Sequence, residues 1–380
     1  MSDEVDAPAL ERLPVSVLTG FLGSGKTTLL KALLPQPAMA DTAVVINEFG
    51  EIGLDHLLVE SSNEDTILMS SGCLCCSIRG DLIDTLRRLY KRRDKGEVPR
   101  FKRVVIETTG LADPAPILHT LIGDPLLGAF YRLDGVIATV DAVNGQDQLD
   151  RQFESVKQAA AADRLVLTKT DLAAPESVVA LERRLRNLNP AAPILRAVNG
   201  VIAADNVLDA GLYDPALKSP DVARWLREEA YAAQPQAHGH AHHAHDHHDD
   251  AQRGDAPHGH RHDVNRHDDH IRAFCLTRDT PIDWAKFVAW IEMLITMRGA
   301  DLLRIKGILD IAGSDQPVAV HGIQHLFHPP ALLPDWQGQP RRSRIVFITR
   351  DLERAWLERS MQEFLAADAP ENVNQGVQRA

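Results

Sequence analysis

The sequence predicts an α/β fold built on a mostly parallel sheet flanked by helices, and three observations carry that prediction. Seven short apolar runs recur over residues 14 to about 230, longer amphipathic segments alternate with them, and a glycine-rich loop joins the first run to the first helical segment. Runs that are continuously apolar belong to strands covered on both faces, which is the condition of a parallel sheet.

Taken in order, the runs are 15–18, 43–46, 66–69, 104–106, 136–140, 165–167 and 194–195. An apolar helical run, 29–34, follows the glycine-rich loop. Leu82, Ile83, Leu86, Leu89 and Tyr90 sit at helical spacing opposite Arg87, Arg88, Lys91 and Arg92, as a helix covering the sheet requires. These elements place a first domain at 1–230. Over 231–270 large apolar residues nearly vanish in favour of His, Asp, Ala, Gly and Gln. That composition cannot offset chain entropy by burial, so a disordered His-rich linker is expected there. A small α+β domain is expected at 271–367: a strand over 271–277, a helix over 283–297, strands over 302–311, 318–321 and 345–349, and a helix over 351–365. Trp284, Trp290 and Trp356 read as its core, and 368–380 as a polar tail.

Charge and composition narrow the function classes. Over 380 residues, 41 Lys and Arg stand against 53 Asp and Glu, a net charge of −12, so no global positive field exists to hold a phosphate backbone and nucleic acid is not an expected partner. No stretch approaches the roughly 18 uncharged apolar residues of a membrane span, and residues 1–13 lack an apolar signal core, so a cytoplasmic protein is expected. Four cysteines are too few for a disulfide framework, and three crowd into Gly72-Cys73-Leu74-Cys75-Cys76, which points to metal or redox chemistry.

Gly20-Phe21-Leu22-Gly23-Ser24-Gly25-Lys26-Thr27 fits G-x-x-x-x-G-K-[ST] between the first strand and the first helix, the mark of a P-loop NTPase. Gly20, Gly23, Ser24, Gly25 and Thr28 are expected to line the phosphates with backbone N–H groups. Lys26 supplies charge to the outer phosphates, and Thr27 offers its hydroxyl to Mg²⁺. Thr168-Lys169-Thr170-Asp171 follows the sixth run, at the carboxyl end of a strand where such sheets bind ligands. A carboxylate at Asp171 can accept both the ring N–H and the amino group of guanine, which favours GTP over ATP. Glu107-Thr108-Thr109-Gly110 follows the fourth run and puts a catalytic carboxylate near the γ-phosphate, where it either holds Mg²⁺ or orients the attacking water. No arginine finger is evident, so unassisted turnover is expected to be slow.

Cys73, Cys75 and Cys76 supply at most three thiolates and leave an open fourth position, as a site that must release its ion requires. Glu48, with Glu51 and Asp55, lies in a glycine-containing acidic segment after the second strand and is a candidate additional ligand.

Together these four motifs resemble the CobW-like metallochaperone GTPases, the CobW/HypB/UreG family, over nearly the whole chain. The Gly72-Cys73-Leu74-Cys75-Cys76 signature beside a phosphate loop is highly specific to that family. The resemblance implies a GTP-hydrolysing chaperone that takes Zn²⁺, or Co²⁺ in some members, and delivers it to a metal-requiring client protein, and members of this class often work as dimers. It also implies that Lys169 joins Asp171 in the guanine reader, and it marks Thr168 as a departure, since many GTPases have Asn there and loss of that amide is expected to remove a polar handle on the base. A cobalt chaperone for cobalamin synthesis is one alternative. The other is a metal store or sensor using the histidine tract, where 12 of 17 histidines fall between His238 and His270. His321, His325 and His328 read as packing or surface residues, the first two on one strand face.

Overall fold

In the computed structural model the described residues are 12–47, 67–70, 78–208, 270–336 and 339–366. The first layer of structure is a sheet of seven parallel strands: β1 (Leu13–Gly20), β2 (Thr42–Asn47), β3 (Ile67–Ser70), β4 (Arg103–Thr108), β5 (Tyr131–Asp141), β6 (Arg164–Thr168) and β7 (Ile194–Arg196). Their order across the sheet is β3-β2-β4-β1-β5-β6-β7, with β1 at its centre. Each continuous apolar run falls inside one of these strands, save for Thr66, which lies outside the described residues. The helices are α1 (Lys26–Leu33), α2 (Ile78–Asp94), α3 (Ala115–Gly123), α4 (Pro125–Phe130), α5 (Gly145–Arg151), α6 (Phe153–Ala161), α7 (Pro175–Leu188) and α8 (Ala204–Val207). They bury both faces: Leu82, Leu86 and Leu89 of α2 join Val15, Val17, Val104 and Ile106 in one core. Leu29, Leu30 and Leu33 of α1 join Leu18, Val44, Val105 and Val166 in another. At about 1.5–3 kcal/mol for each fully buried side chain, these two layers outweigh any local propensity.

The second sheet holds β8 (Ile271–Arg278), β9 (Leu302–Leu309), β10 (Val318–Ile323), β11 (Leu326–Phe327), β12 (Ala331–Leu332) and β13 (Ser343–Arg350). Its order is β11-β10-β9-β13-β8, antiparallel throughout, with β12 on β10. Two helices, α9 (Trp284–Arg298) and α10 (Arg354–Ala366), cover one face through Phe287, Trp290, Leu294, Leu357 and Met361. The opposite face packs on the first sheet's helices: Ala273, Cys275, Leu303, Val346 and Ile348 share a core with Val156 and Ala159 of α6 and Leu181 and Leu185 of α7. The fourth cysteine, Cys275, is therefore a buried packing residue of that joint.

Charge also crosses the joint. Arg304 and Lys306 sit two residues apart on β9, so both point to one side, where the buried Asp163 carboxylate receives them, Lys306 Nζ at 2.7 Å. Burial pushes the Asp163 carboxyl up, but the Arg304 and Lys306 cations and the Val136 N–H outweigh it and hold it well below the usual carboxylate range. His321 and His328 stand beside this cluster with ring centroids 6.1 Å apart.

Three sequence expectations are corrected here. Gln324 takes a positive φ of 53° and ends β10 at Ile323, so His325 falls in the hairpin turn and His328, not His325, lies opposite His321. Trp284 opens α9 and is 36% exposed, whereas Trp290 is fully buried. His270, counted with the linker tract, pairs its ring with Asp351, and its carbonyl accepts from the Asp351 N–H. The rest of the expected linker, 231–269, lies outside the described residues, as does the tail beyond 366.

Candidate nucleotide and metal site

The carboxyl edge of the first sheet gathers the motif residues. β1 ends at Gly20, and the chain turns through residues 21–25 into α1. Gly25 sits at the helix N-terminus with φ 88°, a left-handed value that side chains rarely adopt. Gly25 has no side chain with which to cap α1, so the helix's first-turn N–H groups face the loop, where an anion is favoured. Ser24 is buried and shares a 2.6 Å hydrogen bond with Thr139 of β5, which fixes the loop to the neighbouring strand.

Lys26 folds back into this loop, donating from Nζ to the carbonyls of Gly20 at 2.8 Å and Phe21 at 3.1 Å. Its ammonium is thus already held over the cradle. Thr27 donates from Oγ1 to Glu107 Oε1 at 2.6 Å, and Glu107 is 1% exposed at the end of β4. A hydroxyl and a carboxylate oxygen brought together this way form a hard-oxygen donor pair, the chemistry Mg²⁺ selects, so the residues present fit that ion. Thr28 is exposed and lies against the Asn199-Gly200 turn: a Cβ on Gly200 would stand 3.2 Å from the Thr28 carbonyl. The motif search missed that turn, although Asn-Gly between Val198 and Val201 is a hairpin signal.

The base loop leans on the phosphate loop. Thr168 donates from Oγ1 to the Ser24 carbonyl at 2.7 Å, and a Cβ on Gly25 would meet the same side chain at 3.5 Å. The hydroxyl at 168 therefore braces the loop that follows β6 against the phosphate loop. Lys169 has φ 55° and donates to the buried carboxylate of Asp141 at 2.8 Å. Asp171 is exposed at the same edge, beyond Lys169.

Behind Glu107 the chain continues through Gly110, which closes on the phosphate loop: a Cβ there would lie 2.6 Å from the Leu22 nitrogen. Gln158 of α6 donates to the carbonyls of Gly110 at 3.1 Å and Ala112 at 3.0 Å. Asp113 then accepts from Lys157 of α6 and from Gln324 of the second sheet, each at 2.8 Å. None of Asp141, Gln158, Asp113 or Gln324 belongs to a motif.

The expected metal ligands Cys73, Cys75, Cys76 and Glu48 lie outside the described residues, and among the described residues no group of three metal-binding side chains forms. The strands that carry those segments are described. β2 and β3 pair in parallel, Ile46 beside Ser70, and β2 pairs with β4, whose end holds Glu107. Both segments therefore depart from the same sheet edge as the phosphate loop.

Comparison with known proteins matches two regions of the chain. Residues 14–196 match the family described as CobW/HypB/UreG, nucleotide-binding domain, and residues 271–365 match the cobalamin synthesis protein cobW C-terminal domain. The chain is 32% identical over 336 residues to the zinc chaperone YjiA of Escherichia coli K12, across 88% of this chain and 93% of that protein. It is 34% identical over 212 residues to zinc-regulated GTPase metalloprotein activator 1 of Schizosaccharomyces pombe, across 54% of this chain and 50% of that protein. Among solved structures, the Zn(II)-bound YjiA GTPase from Escherichia coli superposes with a TM-score of 0.66 at 28% identity, covering 93% of this chain and 99% of that one.

Proposed function

The chain belongs to the CobW/HypB/UreG family, and from that premise we propose that it is a GTPase metallochaperone that binds zinc through Cys73, Cys75 and Cys76 and hands it to a metal-requiring client protein as its nucleotide turns over. The observation that carries the reading is the Thr27–Glu107 hydrogen bond. It joins the phosphate loop to the strand end from which the hydrolytic segment departs, next to β2, which leads into the Glu48 segment, with β3 and the cysteine segment one strand further out.

On this reading Lys26 leaves the Gly20 and Phe21 carbonyls for phosphate oxygens when GTP enters, and the uncapped first turn of α1 donates its N–H groups to the same oxygens. Thr27 and Glu107 would hold Mg²⁺, which would supply neutralisation of the charge developing on the phosphoryl oxygens. Glu107 is buried and fixed at the end of β4 for that task. Its contact with Thr27 supports that role over orienting the attacking water. Asp171 accepts the guanine N–H and amino group while Thr168 keeps the base loop against the phosphate loop.

The similarity to a zinc chaperone and to a zinc-regulated metalloprotein activator supports zinc as cargo and a metalloprotein as recipient. Thiolates with an open position suit an ion that must be released. They also persist in a reducing compartment, which supports a cytoplasmic location. Side-by-side hydrolysis of GTP and ATP, with and without Zn²⁺, tests the proposal. It expects Mg²⁺-dependent turnover well in favour of GTP and a rate that responds to zinc. Equal rates for the two nucleotides, or a rate indifferent to zinc, contradicts it.

A further inference from the structure

Asp141, the last residue of β5, is a carboxylate to which the nucleotide motifs assign no task. It is 1% exposed. Oδ1 accepts from the backbone N–H groups of Val143 at 2.8 Å and Asn144 at 3.3 Å, and Oδ2 accepts from Asn144 Nδ2 at 2.9 Å and Lys169 Nζ at 2.8 Å. Three of these bonds close a local turn. The fourth reaches across to the base loop.

At the far end of that bond the backbone is unusual. Lys169 occupies the left-handed region at φ 55°, where the chain reverses and the Leu172 N–H returns to the Lys169 carbonyl at 3.0 Å. A residue with a side chain holds that conformation only where its surroundings over-determine it. Two of the fixings sit on Thr168, whose hydroxyl reaches Ser24 and whose carbonyl accepts the Ala142 N–H at 2.9 Å. Those hold the strand end. On the reversing residue itself act the Leu172–Lys169 backbone bond and, through the side chain, the Asp141–Lys169 ion pair. Asp171 follows two positions later, so its direction depends on how that reversal is held.

We propose that Asp141 is a positioning residue for nucleotide specificity: by tethering Lys169 in the left-handed turn it aims the Asp171 carboxylate at the guanine edge. This rests on the reading of Asp171 as the guanine reader. Burial pushes the Asp141 carboxyl up, and the Lys169 and Asn144 bonds with the Val143 N–H outweigh it, so the group is held below the usual carboxylate range and stays ionised as the tether needs.

Asp141→Asn separates the two roles of the residue, because an amide oxygen still accepts the Val143 and Asn144 N–H groups while the charge facing Lys169 is gone. The measurement is steady-state hydrolysis of GTP and inosine triphosphate, which lacks the amino group that Asp171 would accept. The expected result is a KM for GTP raised about tenfold with kcat within about twofold, and a preference for GTP over inosine triphosphate reduced by a similar factor. A purely structural carboxylate would lower the unfolding midpoint and leave that preference where it was. Lys169→Met breaks the same tether from its half-buried end and carries the test if Asp141→Asn does not fold. Asp171→Asn tests the underlying reading, because an amide donates to the carbonyl that xanthine carries in place of the amino group, so preference should move to xanthosine triphosphate. If Asp171→Asn moves the preference while Asp141→Asn and Lys169→Met leave the GTP to inosine triphosphate ratio unchanged, the positioning role is overturned. If Asp171→Asn moves nothing, the guanine reading falls, and the positioning role with it.

Discussion

Asp113 and Gln324 lie 211 residues apart in the chain and 2.8 Å apart in the fold, joining the segment that follows Glu107 to the hairpin turn of the second sheet. The same carboxylate oxygen accepts from Lys157, and Asp113 Oδ1 accepts the Ala115 N–H at the start of α3. Ile323 and Leu326 seat the hairpin in the core beneath α3. A shift of residues 110–113 on nucleotide binding therefore has a physical route into the second sheet, through α6 and this one amide.

Gln324→Ala should weaken that route without touching the nucleotide. The expected result is that a GTP analogue no longer changes hydrogen exchange over residues 318–327, while its affinity stays within about twofold of the parent, since no group near the phosphates is altered. Undiminished nucleotide-dependent protection of the hairpin in the variant would show that the coupling runs elsewhere.

Thr27 and Glu107 carry the proposed Mg²⁺ chemistry, and each alone should matter. Thr27→Ala and Glu107→Gln are expected to slow GTP hydrolysis by about 10- to 100-fold and to raise the Mg²⁺ concentration for half-maximal rate. Titrating Mg²⁺ against the initial rate checks this, and an unchanged Mg²⁺ midpoint in both variants would remove the pair from the metal side of the site.

Acid should loosen the joint between the sheets, by two contributions of one sign. Asp163 is held below its unfolded value, so its stabilisation is present above about pH 4 and lost as pH falls through the folded value. Burial, opposed by Asp163 and reinforced by Arg304 and Lys306, pushes the His328 imidazole down to about 3, and His321 is also lowered, by burial and by Lys306. Below about pH 6.5 the unfolded chain takes up these protons first, so stability declines on acidification by up to about 1.4 kcal/mol per pH unit for each histidine that stays neutral in the fold. Denaturant midpoints from pH 7 to 4.5 should fall, and replacing both histidines with Asn should flatten the fall. An unchanged slope in that double variant would contradict the account.

The strands and the phosphate loop were legible because their signals are local: continuous apolar runs between helices, and glycines at fixed spacing around Lys26 and Thr27. The joint was not. Arg304 and Lys306 look out of place in an apolar strand until Asp163, remote in sequence, is brought to them, although their spacing of two already put them on one face. His325 was misplaced because the turn at Gln324 uses a positive φ without a glycine to announce it. Asp141 was overlooked for a related reason: its partner Lys169 belongs to a motif, while the residue that restrains Lys169 is marked by no pattern. Cys73, Cys75, Cys76 and Glu48 remain assigned from their residue types and from the strands that lead to them.

If nucleotide and metal are coupled at one site, zinc binding by the full chain must respond to both the cysteines and the nucleotide. Zn²⁺ affinity and stoichiometry would be measured for the intact protein and for a Cys73→Ala, Cys75→Ala, Cys76→Ala variant, each with and without Mg²⁺ and a non-hydrolysable GTP analogue. The account predicts one tight site that strengthens with the analogue and disappears in the variant. Tight binding that survives both the loss of the cysteines and the removal of nucleotide would contradict it and move the metal to the histidine tract.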